Sequence, residues 1–166
     1  MNRAVATSFF VVAVPLVWGL MWLGWRRRER SQSALPAPRR PEEFDPGEPA
    51  TLFEGEYVST TRHGDWLDRV VVHGLGTRGP VTVQVGPGGV VLDRRGARGF
   101  AIPRGELAGA STAAGIAGKV VEDGGLALIT WRAGEEELDS GVRLRHGPDT
   151  GRLVAAVNAL VGEVKA

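Results

Sequence analysis

Residue types that do chemistry are sparse in this chain of 166 residues, and their spacing forms no working pattern. The three histidines, His63, His73 and His146, stand singly. None has the i, i+4 spacing that sets two imidazoles on one helical face around a metal, so they read as surface or strand-end residues. The absence of cysteine removes disulfides, thiolate zinc sites and cysteine nucleophiles, and leaves the compartment open. Glu135-Glu136-Glu137 with Asp139 holds carboxylates enough for a cation site or an acid/base pair, but it falls in a predicted hairpin where charges are solvated.

Three glycine-containing fragments fail on context. Gly74-Leu75-Gly76-Thr77-Arg78-Gly79 fits G-x-G-x-x-G, yet Pro80 and the strand-like VTVQV follow where a dinucleotide fingerprint needs a helix N-terminus to hold pyrophosphate. Gly115 to Val120 ends in Gly-Lys-Val, without the first glycine of a P-loop and without its magnesium-binding Ser/Thr. Gly109-Ala110-Ser111-Thr112-Ala113 approaches a nucleophile elbow but lacks the closing glycine. Trp66 and Trp131 read as core or rim aromatics, because no basic cluster accompanies either. No catalytic, metal or cofactor site is expected.

The elements that would position these residues are short. From residue 51 onward, apolar runs broken by Gly, Pro and Asp predict strands at Leu52–Thr61, Leu67–His73, Val81–Val85, Val90–Arg94, Phe100–Pro103, Ala127–Arg132 and Leu138–Arg145. Residues 107–121 read as two short strands or a loop. Gly86-Pro87-Gly88-Gly89 and Ala133-Gly134-Glu135 are hairpin signals. The period then changes: Leu153, Val157, Leu160, Val161 and Val164 predict an amphipathic helix over about 150–164, capped near Pro148-Asp149-Thr150. The expected fold is mainly β with one C-terminal helix, which covers the open end of a bent sheet or partial barrel.

Residues 1–50 differ in kind. Ala4 to Trp25 is 22 residues without a charge, about 33 Å of helix against a hydrocarbon core of ~30 Å. Trp18, Trp22 and Trp25 gather at its C-terminal end, where indole rings favour head groups. Pro15 and Gly19 inside the span predict a mild kink. Arg3 alone precedes the run, whereas Arg26, Arg27, Arg28, Arg30, Arg39 and Arg40 follow it, and no Ala-x-Ala site marks a cleavage point. The expectation is a single-pass anchor at the plasma membrane, with residues 1–3 outside and the C-terminal domain in the cytoplasm. The same arginines and tryptophans are the residues expected next to lipid. Residues 26–50, rich in Arg and Pro, read as a semi-rigid cytoplasmic linker, and residues 51–166 as the domain.

Charge narrows the partners. Residues 51–166 carry 13 Lys/Arg against 14 Asp/Glu, so the domain has no broad basic field to draw it to nucleic acid.

The strand patterns Val90-Val91-Leu92-Asp93-Arg94 and Phe100-Ala101-Ile102-Pro103, then Gly115-Ile116-Ala117-Gly118-Lys119, Leu128-Ile129-Thr130-Trp131 and Ser140-Gly141-Val142-Arg143-Leu144, resemble bacterial pleckstrin-homology-like (PH-like) domains. The resemblance covers residues 51–163 and is greatest to the membrane-anchored members of high-GC bacteria. It implies a bent seven-stranded sheet capped by a C-terminal helix and used for binding, not catalysis. Phosphoinositide-binding members carry a basic cluster between the first two strands. Here Ser59–Asp65 offers Arg62 and His63, with Asp65 against them. The resulting expectation is a membrane-tethered, non-catalytic module with an unidentified protein partner. Its alternatives are a lipid-surface sensor working through the juxtamembrane arginines, and an accessory subunit of a transport or biosynthetic complex.

Overall fold

The structure is a computed structural model and describes residues 13–22, 32, 34–120 and 125–162. The chain divides into two units, residues 1–34 and 35–166, and each is taken by itself. In the first, residues 13–22 form helix α1, with Trp18 and Trp22 exposed. Among the described residues no helix is long and apolar enough to cross a membrane. Residues 4–12 and 23–25 of the expected span, with Trp25, and Arg26, Arg27, Arg28 and Arg30 after it, lie outside the described residues.

The second unit is mainly β with one C-terminal helix. Its strands are β1 (Thr51–Arg62), β2 (Asp65–Arg69), β3 (Gly79–Gly86), β4 (Gly89–Arg94), β5 (Phe100–Pro103), β6 (Leu107–Ala113), β7 (Gly115–Ile116), β8 (Lys119–Val120), β9 (Leu126–Ala133) and β10 (Glu136–Leu144), followed by helix α2 (Gly147–Gly162). Antiparallel ladders set the order β5-β4-β3-β1-β10-β9-β6, an open sheet whose edges are β5 and β6. β2 pairs with the end of β1, and β7 with β8 in a separate hairpin. Strand alternation puts Val81, Val83 and Val85 of β3 and Ile129, Trp131 and Ala133 of β9 inside. Leu153 and Val157 of α2 close the core over β6, β9 and β10.

Two elements differ from the sequence expectation. The strand predicted at Leu67–His73 ends at Arg69, and Val72–Gly74 is a 3-10 turn with His73 at φ 56. The valines at 70 to 72 suit a strand, but tertiary burial overrides that propensity: Val70 and Leu75 enter the core, and both ends of the segment bond to the one residue Thr60 of β1, so the chain between them loops out of the ladder. Of the segment 107–121, residues 107–120 form β6 and the β7–β8 hairpin, whose Ile116 lies over Gly141, and residue 121 lies outside the described residues.

Residues 35–50, expected as linker, pack onto the sheet. Leu35 is buried, and its carbonyl accepts from His73 Nε2 at 2.8 Å. The Arg39 carbonyl accepts from the Ala101 N–H (2.9 Å) along the β5 edge, and the Pro46 carbonyl from the Gly88 N–H (2.7 Å). Proline removes donors but leaves every carbonyl, so a proline-rich strip can still serve as an acceptor edge. Gly86 makes the approach possible: a Cβ there would lie 2.4 Å from the Pro46 carbonyl oxygen.

The core also holds a polar chain. The Trp131 indole N–H donates to Ser140 Oγ (2.9 Å), the Ser140 and Thr60 hydroxyls are 2.7 Å apart, and Thr60 Oγ1 is 2.6 Å from the Tyr57 hydroxyl, which donates to the Leu75 carbonyl (2.7 Å). With both ends fixed, each hydroxyl in between donates once and accepts once. Burial pushes the Tyr57 phenol up to about 12. Arg94, itself buried, lies with its guanidinium 4.0 Å from the Tyr57 ring centre. It donates to the carbonyls of Gly74 (3.0 Å), Arg98 (3.2 Å) and Thr77. Tyr57→Phe leaves the Leu75 carbonyl and Thr60 hydroxyl short of a partner in a dry interior, and is expected to cost about 1–3 kcal/mol. Urea unfolding of wild type and variant at one pH measures it, and equal midpoints would show that the chain contributes nothing net.

Candidate functional site

The β1–β2 loop is where the resemblance puts cations for a phosphorylated head group. The charges there are already engaged. Arg62 Nε donates to Glu136 (2.8 Å) and its Nη1 to Asp68 (3.0 Å). His63 Nδ1 lies 3.0 Å from both carboxylate oxygens of Asp139, which also accepts from Thr130 Oγ1 at 2.7 Å. Asp65 does not oppose Arg62; its Oδ1 accepts from the backbone N–H groups of Leu67 and Asp68 in a local turn. A phosphate arriving here would have to displace three carboxylates.

Two residues of the expected solvated turn therefore hold specific partners. Glu135 and Glu137 are exposed as anticipated, whereas Glu136 binds Arg62 across the β1–β10 ladder and Asp139 is 8% exposed beneath His63. The hydrogen bond to Asp139 holds His63 above the usual imidazole range, and the bond to Glu136 likewise raises Arg62.

Beside this cluster runs the β6 edge. Asn158 of α2 turns its carboxamide onto Ala110: the Ala110 N–H donates to Oδ1 (2.8 Å), and Nδ2 donates to the Ala110 carbonyl (2.9 Å). One side chain thus satisfies both outward backbone groups of an edge residue, as a neighbouring strand would. Alternation along the ladder makes Thr112 the next residue to present its N–H and C=O on that side, and its side chain is exposed. Small residues on β6 let the helix come this close; a Cβ on Gly109 would lie 3.4 Å from Asn158 Oδ1. Arg104 pins the far end of α2 by donating from Nε to the Leu160 carbonyl at 3.0 Å. His63, Ala108 to Ser111, Thr130, Glu137 and Asn158 line a shallow groove of about 390 Å³.

The groove contains a histidine, a carboxylate and Ser111, the residue types of a hydrolytic triad. Among the described residues no hydroxyl is bonded to the imidazole, and Asp139 divides its bonds between His63 and Thr130. The arrangement orients donors and acceptors; it does not activate a nucleophile. Also among the described residues, no group of three or more His, Asp or Glu could hold a metal ion. His73 bonds Leu35, His146 is exposed, Trp131 is core and Trp66 stays 48% exposed on β2. Asn158 was invisible to sequence reasoning, since nothing in its helix period distinguishes it from a solvated polar residue.

The His63–Asp139 pair gives a pH test. Its raised imidazole pKa adds stability that is complete below the unfolded value of ~6.5 and lost as pH rises through the folded value. The contribution is small because the ring is half exposed. NMR titration of the His63 ring protons should give a midpoint above ~6.5 in wild type and a lower one in Asp139→Asn. Coincident midpoints would remove the pairing.

A family model described as bacterial PH domain-like matches residues 34–158. No curated protein matches the chain.

Proposed function

We propose, on the premise that this chain belongs to the bacterial PH domain-like family, that it is a membrane-tethered, non-catalytic module holding an extended segment of a protein partner along β6, beside α2. PH-like domains are binding modules in general. The observation that carries the finer reading is the Asn158 carboxamide at Ala110: the edge already accepts a strand surrogate at one residue, and Thr112 continues it with its backbone groups turned outward. An added strand would gain main-chain hydrogen bonds there and meet the polar groove of His63, Thr130 and Glu137 with its side chains. The engaged charges around Arg62 and His63 favour this use over head-group recognition at the β1–β2 loop.

The tether rests on the sequence: the uncharged run 4–25, its terminal tryptophans, and the arginines that follow place the anchor in the plasma membrane and the domain in the cytoplasm.

A photoreactive residue at Thr112 of the full chain, activated in cells, is expected to capture a protein partner, while one at Thr82 on β3 captures none. Thr112→Pro, which removes an outward N–H that no ladder bond uses, should weaken the complex without unfolding the edge strand. Adducts to lipid alone at Thr112, or capture insensitive to the proline, would sink the reading. A reporter fused after Ala166 should be active on the cytoplasmic side; activity outside would overturn the orientation.

A further inference from the structure

A cavity of about 590 Å³ lies where β10 gives way to α2, bordered by Glu56, Arg143, Arg145, Gly147 and Thr150. Its carboxylates are already engaged. Glu56 accepts from Arg78 Nε at 2.6 Å, and Asp149 in the first turn of α2 stays off the cavity wall and accepts from Arg152 at 2.8 Å. Its cations are not. Arg143 stands opposite Glu56 in the β1–β10 register, yet it is exposed and makes no ion pair among the described residues. Arg145 meets Glu54 at 3.2 Å with both side chains more than half exposed, a pair worth little in water.

Thr150 is the anomaly. It is only 4% exposed, and its hydroxyl has no hydrogen-bond partner among the described residues, although buried polar groups are paired as a rule. That hydroxyl is not sealed in the interior: among the described residues Arg94 Nε is the one fully enclosed side-chain polar atom left unpaired. The Thr150 hydroxyl therefore opens onto the cavity that the residue borders. Beside it, Gly147 begins the 16-residue helix α2, so its N–H has no intrahelical acceptor, and Pro148 after it has no N–H at all. A Cβ on Gly147 would meet no atom within 4 Å, which leaves the backbone open to an incoming group.

We propose that this cavity binds the phosphate group of a small soluble phosphomonoester, with the Gly147 N–H, the Thr150 hydroxyl and the Arg143 and Arg145 guanidinium groups as donors. A helix N-terminus favours negative charge, and guanidinium forks suit phosphate oxygens. Donors of three kinds, from the helix, from β10 and from the segment between them, match a tetrahedral group; a carboxylate offers only two oxygens in one plane. The remaining space, against Pro80 and Leu144, holds the body of the molecule. The site uses no atom of the β6 edge and stands apart from the partner proposed there.

Inorganic phosphate and glycerol phosphate are the probes, each titrated against chloride at matched ionic strength into the isotope-labelled full-length chain in non-ionic detergent. Both are expected to give saturating NMR shifts of the Gly147 and Thr150 amides. Thr150→Val and Arg143→Gln should each weaken binding roughly tenfold, because each removes a donor to a charged group. Thr150→Ser should keep it, and Arg132→Gln on β9 should change nothing. The Thr150 hydroxyl has no protein partner, so Thr150→Val should unfold in urea no earlier than wild type; Arg143 is exposed, and its substitution tests the site without touching the core. Shifts that only match those of chloride, or binding indifferent to both substitutions, would overturn the site. So would signals that respond to phosphatidic acid in mixed micelles and not to glycerol phosphate, since the bound group would then belong to a lipid.

Discussion

The buried run from the Trp131 indole through Ser140, Thr60 and Tyr57 to the Leu75 carbonyl is the interaction around which the domain is arranged. It crosses β9, β10 and β1 in turn and ends on the loop before β3, so one proton direction runs through the centre of the sheet. Only the native strand register brings these groups into line, with Thr60 opposite Ser140; a one-residue slip would turn every side chain to the other face of the sheet. Such a chain adds modest net stability but penalises any alternative packing by leaving hydroxyls dry and unpaired. Arg94 extends the constraint outward, since its guanidinium covers the Tyr57 ring while tying down the loops at Gly74, Thr77 and Arg98.

Both edges of the open sheet are managed by acceptors and donors that do not come from regular strands. On β5 the Arg39 carbonyl takes the Ala101 N–H; on β6 the Asn158 carboxamide takes both groups of Ala110. An unprotected edge invites indiscriminate pairing. The β5 cover is main chain held by packing at Leu35, Pro41 and Pro46, whereas the β6 cover is one side chain on a helix and stops at one residue. That asymmetry leaves β6 as the edge with room for a further strand.

Charge in this domain is local. A net balance near zero conceals specific ion pairs for Arg62 and His63 at the β1–β2 loop, whereas Arg95 and Arg98 of the β4–β5 loop make none among the described residues. Arg62 and His63 are held by carboxylates of β2 and β10, residues up to 76 positions away. Position along the chain shows none of this, because ion pairing depends on which strands the register sets side by side.

What the sequence determined by itself is what short-range physics encodes: a mainly β domain ending in an amphipathic helix, and the hairpin turns at Gly86–Gly89 and Gly134. Each follows from periodicity, glycine geometry or residue type within a few positions. Tertiary structure decided the rest. Val70 to Val72 read as strand until burial of Val70 and Leu75 turned them into a loop, and the proline-rich strip at 36 to 49 read as linker until the Pro46 carbonyl met Gly88 in the β3–β4 turn and the Arg39 carbonyl met Ala101 on β5. Asp139 and Asn158 had no distinguishing neighbours in sequence; His63 and Ala110, the groups that give them meaning, arrive only when the sheet and helix assemble. Hydrogen bonds between remote segments depend on where the fold brings them, and local pattern carries no record of that.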